Sequence, residues 1–302
     1  MGRDPLRAGA ATGPAADPDP IPLVDLQASY RPIQSALLRE FEAILGEMNL
    51  LLGPRTQALE REFARHCECE HGVAVSSGTD ALRAALEAYG IGAGDEVICP
   101  SLTFFATIEA IVHTGATPVL VDVSPDTLSI DPEQVRAALS PSTRAIVPVH
   151  LYGHPADLDP MLVLAREHGL RVVEDAAQAH GARYKGRRCG SLGDAACFSF
   201  YFTKNLGAVG EGGFVATGDS ALAERVRLLR HHGHVSKFEH AAIGYNLRMD
   251  ELQAAVLRLK LPGLEAANVR RRQIAARYDE LLAGCPVRPV RPASNCESAY
   301  HL

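Results

Sequence analysis

The chain has 302 residues, a formal net charge of −6, and 47% hydrophobic and 22% charged residues, proportions ordinary for a globular protein. An acidic balance without a basic stripe argues against nucleic acid as a partner, and no apolar run approaches the roughly 20 residues that cross a bilayer. The seven cysteines are odd in number and irregular in spacing, which argues against a disulfide framework and points to a reducing cytoplasm.

Residues 1–20 are rich in Ala, Gly, Pro and Asp and lack the apolar centre of a signal peptide, so they read as a disordered extension. Cys67 and Cys69 are too close for a usual zinc hook and read as part of a helix end. Val73–Val75 is the first predicted strand. A helix follows over Thr79–Tyr89, where Ala81, Leu82, Ala85 and Leu86 recur at helical spacing. Further strands are expected at Glu96–Cys99, Pro118–Val123, Arg144–Val149, Arg171–Glu174, Ala196–Phe200 and Phe214–Thr217. Helices are expected near Thr103–His113 and Pro160–His168. Continuous rather than alternating apolar strands imply a sheet covered on both faces, hence a mostly parallel α/β architecture flanked by helices. Beyond Gly218 the pattern predicts a helix over Ser220–Arg230, a polar loop over His231–Tyr245, and helices over Asp250–Leu259 and Glu265–Leu282, interrupted at Pro262.

Three stretches carry chemistry. Ser76-Ser77-Gly78-Thr79 opens a helix directly after a strand, where backbone N–H groups and the Thr79 hydroxyl suit a phosphate, although such turns are as readily simple caps. Asp175 follows a strand and lies at the carboxyl edge of the sheet, where open α/β folds bind ligands; a helix-capping carboxylate is the alternative. Lys204 ends the run Cys197–Asn205, among turns rich in glycine, and offers either a nucleophilic amine or a solvated loop cation. Ser199 is placed to donate to a phosphate. Gln178 is a candidate for the ring oxygen or a surface amide, and His180 for a partner of Asp175 or a packed core histidine. Phe104 is either a ring-stacking group or core. An amine, a strand-end carboxylate and an anion site together match what pyridoxal phosphate demands. His231, His232, His234 and His240 fit no usual metal-ligand spacing, and no metal is expected.

These stretches, with Ile21–Leu26, Leu52-Gly53-Pro54, Gly94–Val97, Thr103–Thr107, Val149–Gly153, Glu174–Gly181, Gly244–Asn246 and Arg248–Ala255, resemble the DegT/DnrJ/EryC1/StrS family of sugar aminotransferases. The resemblance implies the PLP-dependent transferase fold type I. It makes Lys204 the Schiff-base lysine, Asp175 the partner of the ring nitrogen, Gln178 the contact to the ring hydroxyl and Phe104 the stacking ring. Gly78, Thr79 and Ser199 hold the phosphate. Asn246 reaches the cofactor phosphate of a neighbouring subunit, which implies a homodimer. Arg248 is placed to meet an anionic substrate group or to pair with Asp250 or Glu251.

The implied reaction is amino transfer from glutamate to a keto group of a nucleotide-linked deoxysugar, with Lys204 as the base. Alternatives are an aminocyclitol aminotransferase or a catalytically dead regulatory or dimerising remnant; the sugar dehydratases of the family carry histidine in place of Lys204. Phe202 and Phe238 depart from the family's usual proline and tyrosine. Members usually continue past Tyr300–Leu302, so the expected organisation is a large domain over 21–260 and a truncated small C-terminal domain over 261–302.

Overall fold

The computed structural model describes residue 22 and residues 24–302; the extension expected over 1–20 lies outside the described residues. A seven-stranded sheet forms from β1 (His71–Val75), β2 (Glu96–Pro100), β3 (Thr117–Val121), β4 (Thr143–Ile146), β5 (Arg171–Asp175), β6 (Ala195–Ser199) and β7 (Gly213–Thr217), in the order β1-β7-β6-β5-β4-β2-β3. The pairings from β3 through β6 are parallel. β7 runs antiparallel to both β6 and β1. The expectation of a mostly parallel sheet therefore holds, with one reversed strand between β6 and β1.

The principal helices are α1 (Gln34–Glu47), α2 (Pro54–His66), α3 (Gly78–Ala88), α4 (Ala106–His113), α5 (Leu158–His168), α6 (Ser220–Arg230), α7 (Glu251–Lys260) and α8 (Leu264–Leu281). α4 starts later than predicted, because residues 101–105 form bends and a turn, so Phe104 stands ahead of the helix. The Pro262 interruption is a 3₁₀ turn over Leu261–Gly263. Within the predicted polar loop, His234–Ser236 and Glu239–His240 pair as a short hairpin. Cys296–Glu297 pairs with Arg183–Tyr184, which returns the last residues to the main body.

The strands read as unbroken apolar runs because the sheet buries both faces. Val73, Val75, Val97, Cys99, Val173, Cys197 and Val215 pack on one side with Leu82, Leu86, Ile111 and Val226 of the helices. Their neighbours Ala74, Ile98, Val172, Phe198 and Phe214 pack on the other with Leu59, Phe63, Leu158 and Leu257. Phe63 of α2 is the hub of that second side. Its ring meets Phe198, Phe200 and Phe214 edge-on, with centroids 5.1, 5.1 and 4.9 Å away, the arrangement favoured by aromatic quadrupoles. Among the described residues no helix is long and apolar enough to cross a membrane.

Because Phe63 is fully buried, Phe63→Ala leaves a cavity against the three rings that β6, its end and β7 present. The expected loss is about 3–5 kcal/mol, measured by chemical unfolding of the variant against the parent chain.

Candidate active site

The sheet's carboxyl edge gathers the chemistry. β1, β5 and β6 run in the same direction, so Ser76, Asp175 and Ser199 emerge at one edge. α3 begins where β1 ends: the Ser77 side chain caps it by accepting from the Asp80 N–H at 3.1 Å. Asp80 in turn accepts from the hydroxyls of Ser76 and Ser77 at 2.6 and 2.8 Å. The first turn is thereby held rigid with its free N–H groups facing outward. Two glycines make this close approach feasible. A Cβ on Gly78 would lie 2.6 Å from the Ser199 Cβ, and one on Gly213 would lie 2.0 Å from the Ser77 carbonyl oxygen.

Between these elements lies a cavity of about 510 Å³, lined by Gly78, Thr79, Phe104, Asp175, Gln178, Ser199 and Lys204. Its size suits a cofactor with part of a substrate. Seven of the eight expected site residues thus face one space. Asn246 does not: it is exposed, and its Oδ1 accepts from Arg248 Nε at 2.9 Å. Arg248 also forms no ion pair with Glu251, which is buried and accepts instead from Thr56 Oγ1 and the Thr56 and Arg55 N–H groups.

Asp175 is buried, and its carboxylate accepts from Thr107 Oγ1 at 2.7 Å and from the Ala177 N–H at 3.2 Å. Burial raises its pKa against the opposing pull of Thr107, Ala177 and the charge of Lys204. Burial lowers the pKa of Lys204, with Asp175 opposing. Both shifts favour the neutral forms. The lysine loop is fixed from behind. Asn205 Nδ2 donates to Asn268 Oδ1 of α8 at 3.0 Å and to the Ala299 carbonyl at 2.8 Å.

The remaining candidates resolve physically. Gln178 lines the cavity, yet its Oε1 already accepts from the Tyr152 N–H at 2.6 Å. Phe104 is 72% exposed and stands free at the cavity, so it is not core. His180 is fully buried beside Phe63, Phe198 and Phe200, the core alternative rather than a partner of Asp175. The loop histidines pack against one another, with the His231 and His234 rings edge-on at 5.1 Å.

Thr107, Asn205 and the pair His150–Glu174 were not singled out by sequence, although Thr107, His150 and Glu174 fall inside the matching stretches. Glu174 Oε2 accepts from His150 Nε2 at 2.8 Å and from the Gly190 N–H, and Oε1 accepts from the Leu192 and Gly193 N–H groups. His150 Nδ1 accepts from the Ala156 N–H, so its proton sits on Nε2 and points at the carboxylate. Cys189 Sγ comes within 4.8 Å of these two residues' donor atoms. The hydrogen bonds already in place make the group a structural knot.

The family model described as the DegT/DnrJ/EryC1/StrS aminotransferase family matches residues 32–302. The chain is 51% identical over 266 residues to dTDP-3-amino-3,4,6-trideoxy-alpha-D-glucose transaminase of Streptomyces venezuelae, covering 88% of this chain and 70% of that protein. It is 43% identical to a pleiotropic regulatory protein of Geobacillus stearothermophilus, over 93% of this chain and 76% of the relative. The crystal structure of S. venezuelae DesV superposes with a TM-score of 0.91 at 49% identity, covering 93% of this chain and 76% of that one.

Glu174 yields a pH prediction. Burial alone would raise its pKa, but the His150, Gly193 and Gly190 hydrogen bonds outweigh burial and hold it below the usual carboxylate value. Its stabilisation is therefore present above the unfolded pKa of about 4.3 and lost as pH falls through the lower folded value. Glu174→Gln is expected to cost about 3–5 kcal/mol at neutral pH. In thermal unfolding, the gap to the parent chain should narrow on acidification; a constant gap would contradict the assignment.

With a buried carboxylate, a shielded lysine and a helix N-terminus converging on one cavity, and a family match across 32–302, this chain belongs to the DegT/DnrJ/EryC1/StrS aminotransferase family.

Proposed function

We propose that the chain is a pyridoxal phosphate-dependent transaminase that moves an amino group from glutamate to a keto group of a nucleotide-linked deoxysugar. The observation that carries this reading is the shared cavity of Lys204, Asp175 and the α3 N-terminus. The relative that acts on a dTDP-linked amino sugar supports the substrate class. The residues present fit the cofactor. The Gly78 and Thr79 N–H groups and the Thr79 and Ser199 hydroxyls take the phosphate, and Asp175 takes the protonated ring nitrogen. Phe104 would cover one face of the ring, and Gln178 lies within the same lining.

When bound, the cofactor supplies the electron sink that lets a proton leave the amino-bearing carbon. The chain's own part is positional and acid–base. Thr107 and Ala177 orient the Asp175 carboxylate, and enclosure by protein keeps water from competing for it. The Lys204 amine, made less basic by burial, accepts the proton at Nζ and returns it to the new position. Asn205 holds the backbone beside Lys204 so that Nζ swings without displacing the loop.

The divisions at 21–260 and 261–302 are proposed as large domain and start of a small one. A homodimer is proposed as the working unit, with Asn246 of each copy serving the other's phosphate. Its exposure outside its own cavity and the exposed Leu38, Phe41, Leu45 and Met48 of the α1 region support this assembly.

Lys204→Ala is expected to abolish the change that PLP produces in the visible spectrum of the parent chain, and to lower amino transfer by about 10²–10⁴-fold or more. Asp175→Asn should retain the cofactor while slowing transfer by about 10²–10³-fold, the scale for losing one preorganised electrostatic partner. An unaltered spectrum in Lys204→Ala would refute the role. For the dimer, mixing Lys204→Ala with Asn246→Ala chains should restore activity absent from either alone, because one hybrid site is intact. No recovery on subunit exchange would count against a shared site.

A further inference from the structure

Among the described residues, Glu211 is the one carboxylate lining the cavity besides Asp175, and the reaction outlined above gives it no task. Its placement follows from strand register. Ser199 pairs with Gly213, and the ladder continues past the named strands through Phe200 N–H to the Gly212 carbonyl and Phe202 N–H to the Gly210 carbonyl. This sets Glu211 opposite Tyr201. Phe198 and Phe200 point into the core, so the alternation turns Ser199, Tyr201 and Glu211 to the cavity side, where all three line its wall. Glu211 therefore stands about 7 Å along the ladder from the position of Ser199, the distance of two strand residues.

Several other polar groups of the wall have protein partners. Asp175 is held by Thr107 and Ala177, Gln178 Oε1 by Tyr152, Ser77 Oγ by Asp80, and Thr103 Oγ1 by Thr107. Among the described residues, the Glu211 carboxylate has neither a hydrogen-bond donor nor a cation. The Glu211 side chain is exposed, and the partial burial it has raises its pKa. A carboxylate so close to a phosphate cradle repels further anionic groups, so the complement it accepts is a neutral donor. On the substrate class proposed above, a keto sugar brings hydroxyls and no cation to this wall.

We propose that Glu211 is a specificity-determining residue whose carboxylate accepts a hydrogen bond from a sugar-ring hydroxyl beside the carbon that receives the amino group. This rests on the nucleotide-sugar reading and deepens it. Glu211 orients the keto carbon toward Lys204 and has no corresponding contact with the amino acid, which carries no hydroxyl.

The test compares the two half-reactions in the full chain with PLP, using glutamate on one side and dTDP-3-amino-3,4,6-trideoxy-α-D-glucose with 2-oxoglutarate on the other. For Glu211→Ala the sugar half-reaction should lose about ten- to a hundredfold more kcat/KM than the glutamate half-reaction, the scale for a hydrogen bond to a charged group. The loss should lie mainly in the KM for the sugar. Glu211→Gln, which keeps an acceptor oxygen, should recover part of it. Equal losses in both half-reactions, or none, would overturn the inference, as would conversion of a parent dimer to monomer by Glu211→Ala, since the residue would then be an interface contact. If the parent chain processes glutamate but not the sugar, the nucleotide-sugar reading fails and this inference with it.

Discussion

Everything at the site depends on how β5 ends. Two buried carboxylates follow one another, and the pleat sends them to opposite faces of the sheet. Glu174 turns into the side that holds Phe63 and Val172, where His150 and three backbone N–H groups fill its acceptors. Asp175 turns the other way, towards Thr107 and the cavity. Burying an anion is costly unless it is fully satisfied, and the two solutions differ accordingly. Glu174 is closed off and fastens the 190–193 segment and His150 to the strand. Asp175 is left partly satisfied at the wall of a binding space. The first anchors the strand end from which the second is presented, since His150 N–H also donates to the Asp175 carbonyl and Asp175 N–H to the Pro148 carbonyl.

Much of this was legible in the sequence because it is local. Val73–Val75, Glu96–Cys99 and Arg171–Glu174 are short apolar runs whose continuity reports two-sided burial, and Gly78, Asp175 and Lys204 are each tied to the end of such a run. What was not legible is long-range. No periodicity announces that His150 meets Glu174, that Asn205 reaches Asn268, or that β7 is reversed, because antiparallel and parallel partners of a buried strand carry the same apolar pattern. Phe104 and His180 each had two readings from sequence, and only the tertiary fold decides between them: the Phe104 ring stands exposed at the cavity, and His180 lies among phenylalanines as a core histidine. Asn246 was legible only through resemblance, and it lies outside the cavity that the other seven residues share.

The lysine loop illustrates how sites of this kind gain precision. Lys204 makes its own turn, through its N–H to the Tyr201 carbonyl, but that turn would be mobile by itself. Asn205 converts it into a fixed platform by bonding to α8 and to Ala299, and Asn268 passes the connection on to the His180 carbonyl. Residues remote in sequence thus share the task of aiming one amine, the kind of support that catalytic geometry requires.

The reversed β7 has a consequence for how the molecule is made. Among the described residues, β1 lies at the edge of the sheet and is paired there with β7 alone, His71 opposite Thr217. A chain emerging from the ribosome must therefore hold β1 and the start of α3 unpaired until β7 has been synthesised. Such late closure of a distant pair is intrinsically slow. The start of α3, although encoded early, is among the last parts of the sheet edge to be fixed, because it waits on a strand more than a hundred residues later.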